Sequence, residues 1–142
     1  MKNWFFASLF VSLCLVSLSA SVFPAEQKIE KLAQEAAESW LALVDAGKYS
    51  QSWNEAASFF KQKVTAEQWA SAVKSAREPL GKLESRKLKH YQYTQTMPGA
   101  PDGDYVILQF DTSFANKKAA IETVTPMKDK DGRWRVSGYY IK

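Results

Sequence analysis

Cysteine is nearly missing from these 142 residues: Cys14 is the only one. It falls inside an apolar N-terminal run, so a chain that loses that run has no thiol. A disulfide framework, a thiol nucleophile and thiolate metal ligands are excluded together. Leu13 stands before Cys14 where a lipoprotein signal needs a small residue, so lipidation of that thiol is not expected. Histidine is almost as scarce, with His90 alone. One histidine without cysteine does not make a dedicated zinc set. No Gly-x-Ser-x-Gly turn offers a serine nucleophile to pair with it. Internal repeats, low-complexity tracts and linkers are absent too. After the N-terminal run, no stretch is long and apolar enough to span a bilayer.

What is present begins with an export pattern. Lys2 supplies a positive start, and Trp4 to Leu18 is apolar apart from Ser8, Ser12 and Ser17. Ser19, Ala20 and Ser21 are the small residues that a signal peptidase accepts. Ala25 is a second cleavage position, with Phe23 a poor fit three residues into its recognition site. Residues 1–25 are therefore expected to be a signal peptide cut between 20 and 25, and 26–142 one domain. That leaves about 117 to 122 residues, enough to bury a core without disulfides. Lys and Arg number 19 and Asp and Glu 15, a net charge of +4 that falls to near +3 once Lys2 is removed. So mild an excess does not call for nucleic acid. The expected location is periplasmic or secreted, with membrane contact only through the signal segment during export.

Helical periodicity fills the first half of the domain. From Gln27 to Ala46, Ile29, Ala33, Ala36, Trp40 and Val44 recur on one face, and Glu30, Lys31, Glu35 and Glu38 on the other. Gly47 is a natural C-terminal cap. Tyr49 to Lys61 predicts a second helical segment, broken ahead of Phe59. Thr65 and Gln68 form a capping box for a third, with Trp69, Ala72, Val73 and Ala76 inward, stopped by Pro79 and Gly81. The period then switches to two. Strands are expected over Leu83–Thr96, Tyr105–Phe114, Ala119–Met127 and Arg133–Ile141, with turn chemistry at 97–104 and 129–132 and a polar link at 116–118. Helices followed by consecutive strands imply an α+β fold: N-terminal helices packed on a curved four-stranded antiparallel sheet. Trp40, Trp53, Trp69 and Trp134 are expected between the layers. By element order the architecture is similar to the nuclear-transport-factor-2 or cystatin-like roll.

Several stretches resemble one family. They are Trp40-Leu-Ala-Leu-Val-Asp-Ala-Gly47, Ser52-Trp53, Glu78-Pro-Leu-Gly81, Ser85-Arg-Lys-Leu-Lys89 and Pro98-Gly-Ala-Pro-Asp-Gly103. Ser113-Phe-Ala-Asn-Lys-Lys118, Glu122-Thr-Val-Thr-Pro-Met127 and Trp134-Arg-Val-Ser-Gly-Tyr139 continue the pattern. Together they resemble the bacterial family known as domain of unknown function 4019, over about Ile29 to Ile141. The resemblance implies an exported bacterial protein with a compact domain, and it brings no catalytic residues.

Chemistry-bearing residues are few. Asp111 on the polar side of the second strand, with Tyr139 near the end of the last, is the arrangement of an acid or base in a roll cavity with a phenol beside it. His90 is the remaining catalytic candidate, set against its reading as an exposed strand histidine beside Lys87 and Lys89. Arg86, Lys87, Lys89, Lys117, Lys118, Arg133 and Arg135 come from the strand half and would form a cationic surface if the strands align them. Edge lysines also serve simply to keep sheets apart. Asp129-Lys-Asp131-Gly132 resembles a calcium loop in part, but Gly138 occupies the position of the closing glutamate, so it reads as a turn. No metal or cofactor is expected. The leading expectation is a non-enzymatic domain binding an envelope component or small ligand. The alternatives are a small acid–base enzyme and a homodimer-forming structural module.

Overall fold

The structure, a computed structural model, describes residues 23–142. Residues 1–22 of the export segment expected at 1–25 lie outside the described residues. Helices α1 (Phe23–Asp45), α2 (Tyr49–Asn54), α3 (Ser58–Lys63) and α4 (Ala66–Arg77) lead through a 3-10 turn at Glu78–Leu80 into four strands. These are β1 (Leu83–Thr94), β2 (Tyr105–Phe114), β3 (Lys117–Lys128) and β4 (Trp134–Ile141), in the order β1-β2-β3-β4 with every pairing antiparallel. Expected and observed architecture agree: helices first, then a four-stranded antiparallel sheet. The break expected ahead of Phe59 divides the second helical segment into α2 and α3. One detail differs: the link expected at 116–118 is mostly strand.

Helix α1 carries the core. Ala33, Ala37, Trp40, Leu41 and Val44 are all buried, and the two alanines let the helix lie close to the sheet. It ends in a Schellman motif. Gly47, with φ 72°, donates to Val44 O at 3.0 Å, and Lys48 donates to Leu43 O at 2.9 Å. Across the layer, β2 supplies Val106, Leu108 and Phe110, β3 Val124 and β4 Val136. At the start of α4, Gln68 N donates to Thr65 Oγ1 at 3.2 Å and Thr65 N to Gln68 Oε1 at 3.0 Å, closing the capping box.

The tryptophans are satisfied at both ends, apolar body and polar tip. Trp40 Nε1 donates to Ser52 O at 2.8 Å, Trp69 Nε1 to Ser52 Oγ at 2.9 Å, and Trp53 Nε1 to Val64 O at 2.8 Å. Trp40 and Trp69 are core, with ring centroids 5.5 Å apart. Trp53 and Trp134 are only half-buried at its margin.

Irregularities in the ladders decide what faces out. One extra residue in β1 at Lys89 shifts the β1–β2 register between Leu88 and His90. A second shift, between Thr125 and Pro126, comes from Ser137 in β4. Such bulges bend the strand that carries them and increase its twist. The β2–β3 hairpin turns through Ala115 and Asn116, neither with positive φ. A primed turn is therefore unavailable, and a register shift near Phe114 absorbs the mismatch. Remote parts are tied as well. The Asp129 carboxylate, from the β3–β4 turn, accepts from Ser58 N and Ser58 Oγ, each at 3.0 Å, and so caps α3.

Candidate functional site

Three places concentrate polar or accessible chemistry: a buried charge cluster, a groove beside α1, and the outer face of the sheet.

The cluster grows from residues that break their elements' apolar pattern. Trp69 and Val73 of α4 point inward, and so does Arg77 one turn on. In β3, Glu122 sits in phase with buried Ala120 and Val124 and is 0 % exposed. In β1, Arg86 is in phase with Leu88, on the helix-facing side. Asp45 closes α1, at the negative end of the helix dipole, where a carboxylate needs cations nearby. These four meet. Arg86 Nε donates to Glu122 Oε1 at 2.6 Å and Arg86 Nη2 to Glu122 Oε2 at 3.2 Å. Its Nη1 and Nη2 also fork onto Asp45 at 2.8 and 3.0 Å. Arg77 Nη2 adds a bond to Asp45 at 2.7 Å. Thr112 Oγ1 donates to Glu122 at 2.7 Å, and Tyr139 Oη donates to its other oxygen. Arg77 lies with its guanidinium 4.7 Å from the centre of the Phe114 ring, while its Nε and Nη1 find no acceptor.

Electrostatics lock this arrangement in one charge state. Burial pulls the Asp45 carboxyl upward, but the Arg86 and Arg77 guanidiniums outweigh it and hold the group below its usual range. Burial acts against the Arg86 charge, yet Asp45 and Glu122 more than offset it and raise its pKa. Burial, then the Glu122 charge, push the Tyr139 phenol above its usual range, so it stays a donor. Two cations face two anions with every Glu122 oxygen engaged. No groove described below has Glu122 or Tyr139 in its wall. A carboxylate so paired and closed off tethers α1, α4 and the sheet, and it has no free lone pair to offer a substrate.

Open space lies elsewhere. A groove of about 900 Å³ runs between α1 and the Trp134 end of β4. Ile29, Leu32, Trp40, Leu43, Trp134 and Val136 line it, with Lys28, Glu35, Arg133 and Arg135 among them. Leu32 is 41 % exposed there, one of few large apolar side chains so open. Trp134, expected in the core, is half in this wall. A smaller polar groove of about 380 Å³ adjoins it around Ser58, Asp129 and Asp131. The carboxylates of Asp129 and Asp131 are held by Ser58, Arg133 N and Arg135, as parts of a turn.

The residues singled out from sequence do not converge. Asp111 faces away from the helices, pairs with Lys87 and Ile121 across the sheet, and lies 3.4 Å from Lys89 with its side chain 59 % exposed. Tyr139 is on the opposite face, packed edge-on against Trp40 at 5.3 Å. The two never share a pocket. His90 is exposed on the outer face, opposite Gln109. The cationic set divides in three. Arg86 leaves it altogether for the buried cluster, because its strand phase points it inward. Arg133 and Arg135 belong to the far end of β4, where Arg135 is taken up by Asp129 and Asp131 at 3.3 and 2.7 Å. Lys87, Lys89, Lys117 and Lys118 remain together along one trough of the outer face. Among the described residues no group of three or more His, Cys, Asp or Glu is arranged to hold a metal ion. Among them also, no helix is long and apolar enough to cross a membrane.

Fold and surface together define a small α+β domain with a closed ionic tether and open grooves. The family model described as "Protein of unknown function (DUF4019)" matches residues 36–139, most of the chain, and the protein belongs to that family. No curated protein and no solved structure matches it, so the roll comparison rests on element order alone.

Proposed function

We propose that this is an exported, non-enzymatic binding domain of the bacterial envelope, periplasmic or secreted, which takes a ligand or partner in the groove between α1 and β4. The carrying observation is the groove itself: about 900 Å³ of space in which apolar side chains lie among charged ones of both signs. Binding sites commonly combine a concave apolar surface with polar groups that fix orientation. The acid–base alternative needs a carboxylate and a phenol in one accessible pocket. Asp111 and Tyr139 lie on opposite faces of the sheet, and the carboxylate that does meet Tyr139 is already neutralised by Arg86.

Photo-crosslinking in intact cells tests the reading. A crosslinker placed at Leu32 should trap a discrete adduct that one at Glu38, on the outward side of α1, does not. With the crosslinker moved to Glu35, which also lines the groove, Leu32→Glu should abolish the adduct and leave the melting temperature of the purified domain unchanged, since Leu32 is already open to solvent. Equal adducts from Leu32 and Glu38, or none from either, would remove the groove from consideration. N-terminal sequencing of the protein from the periplasmic fraction tests export: a start between residues 21 and 26 is expected, and an intact Met1 in cytosolic protein would refute it.

A further inference from the structure

We infer that the outer face of the sheet carries a second docking surface, for a linear phosphate-bearing polymer, independent of the groove beside α1. Two of the lysines end a cross-strand row. Lys87 pairs with Asp111, Asp111 with Ile121, and Ile121 exchanges backbone bonds with Lys142 at 3.0 Å each way. The line Lys87–Asp111–Ile121–Lys142 therefore crosses β1, β2 and β3 and ends just past the last residue of β4, with a lysine at each end. At about 4.8 Å per strand the ends are some 14 Å apart. That is too far to converge on a single phosphate, and it suits a chain laid across the strands. Lys117 and Lys118 flank the row at the start of β3. The bulge at Lys89 turns a further ammonium toward the same trough, which encloses about 600 Å³. Ser85, Ser113, Ala119 and Ile121 lie among the lysines in its lining.

Charge complementarity fixes the sign of the partner. Five lysines line the trough, and the nearby carboxylates are Asp111 and Glu84. Asp111 is held by an exposed ion pair with Lys89 at 3.4 Å, and Glu84 by one with Lys118 at 2.5 Å and by a long bond from Ser113 Oγ at 3.4 Å. Pairs this solvated contribute little net stability, so a polyanion can displace them at small cost. A trough walled by ammonium groups suits a polymer chain laid along it. Half-buried Ile121 is in its lining and exposed Tyr140 stands next to it on the same face, the kind of side chain that inserts into a membrane surface, so a bilayer is the competing occupant that the experiment must exclude.

The experiment titrates the purified 26–142 chain, the expected mature form, with long-chain inorganic polyphosphate at several salt concentrations. Affinity should fall with salt, with a log–log slope of about −3 for four or five contacts to a single-stranded polyanion. A quadruple variant, Lys87→Gln, Lys117→Gln, Lys118→Gln and Lys142→Gln, should bind at least 10-fold more weakly, with a slope of about −0.7 from the remaining Lys89. The matched control neutralises exposed Lys31, Lys48, Lys74 and Lys130 and should bind within about 3-fold of the parent. Circular dichroism should show both variants folded, because none of these lysines is buried. If both variants weaken equally, net charge and not this face drives binding, and the inference fails. It fails likewise if the parent chain does not bind polyphosphate. Vesicles of anionic phosphatidylglycerol that compete at equal phosphate concentration would assign the face to a membrane surface instead. Because Leu32 and the α1 groove are untouched, crosslinking there succeeds or fails separately.

Discussion

Replacing Arg86 with methionine isolates what holds the helical layer to the sheet. The substitution fills a similar volume but deletes four charge-assisted bonds, two to Glu122 and two to Asp45. Asp45 keeps Arg77. Glu122, with no exposure to water, keeps only the hydroxyls of Thr112 and Tyr139, so one buried negative charge is left without a cation. Breaking a buried pair in this way costs about 3–5 kcal/mol, against a total stability of about 5–15 kcal/mol for a domain. With a urea m-value of about 1.5 kcal/mol/M, the midpoint should drop by roughly 2–3 M. The deficit should also depend on pH. In the parent, burial raises the Asp45 carboxyl but Arg86 and Arg77 outweigh it and hold the group below its usual value of 3.8, so its contribution is complete above that value and is lost as pH falls through the folded-state pKa. Deleting Arg86 removes much of that effect, so urea titrations at pH 7 and pH 3 should show the gap between parent and variant narrowing at the lower pH. Lys118→Met, which breaks a solvated pair, should leave the midpoint in place. A loss below about 1 kcal/mol, or a deficit that does not change with pH, would show that the cluster does not carry the tether.

Tyr139→Phe removes one of the two hydroxyl donors to Glu122 and should cost about 1–3 kcal/mol by urea melt. Because the Tyr139 phenol is pushed above its ordinary value of 10.0 in the folded state, its contribution is complete below that pH and is lost as pH rises further. The variant's stability should therefore decline less steeply than the parent's above pH 10, and matching slopes would refute this. Gly81→Ala should cost about 2–3 kcal/mol, against about 1 kcal/mol for Gly47→Ala. Both have positive φ, but a Cβ at Gly81 would come within 3.0 Å of Asn116 Nδ2 and 3.2 Å of Ala115 Cβ, whereas nothing lies within 4 Å at Gly47. Equal melting-temperature losses would refute the steric difference.

Fold class was legible because each element announces itself locally. Ala33 to Val44 keep one helical face, Thr65 and Gln68 cap α4 within one turn, and β2 alternates without a break from Val106 to Phe114. What the sequence hid has less local causes. Helix α3 lacks a cap of its own because Asp129, seventy-one residues on, provides it, and no window of sequence contains both. Lys117 and Lys118 looked like a connection because they are charged, yet an edge-facing bulge tolerates charge inside a strand.

The buried cluster was missed for a different reason, and its signal was present. Glu122 lies between Ala120 and Val124 in the inward phase of β3, and Arg86 shares the phase of Leu88 in β1. Judged by charge, Arg86 joined the surface set; judged by phase, it could not. A carboxylate and a guanidinium that both fall in the apolar phase of nearby strands cannot each be buried alone, since an unpaired charge in a dry interior is too costly. Phase therefore implies that such residues have buried partners of opposite sign. Here the partners lie in different elements: Arg86 answers both Glu122 in β3 and Asp45 at the end of α1, and Arg77 of α4 shares Asp45. What sequence phase could not give is Asp45 itself, whose position in the last turn of α1 looks solvated until α4 and β1 bring their guanidiniums to it.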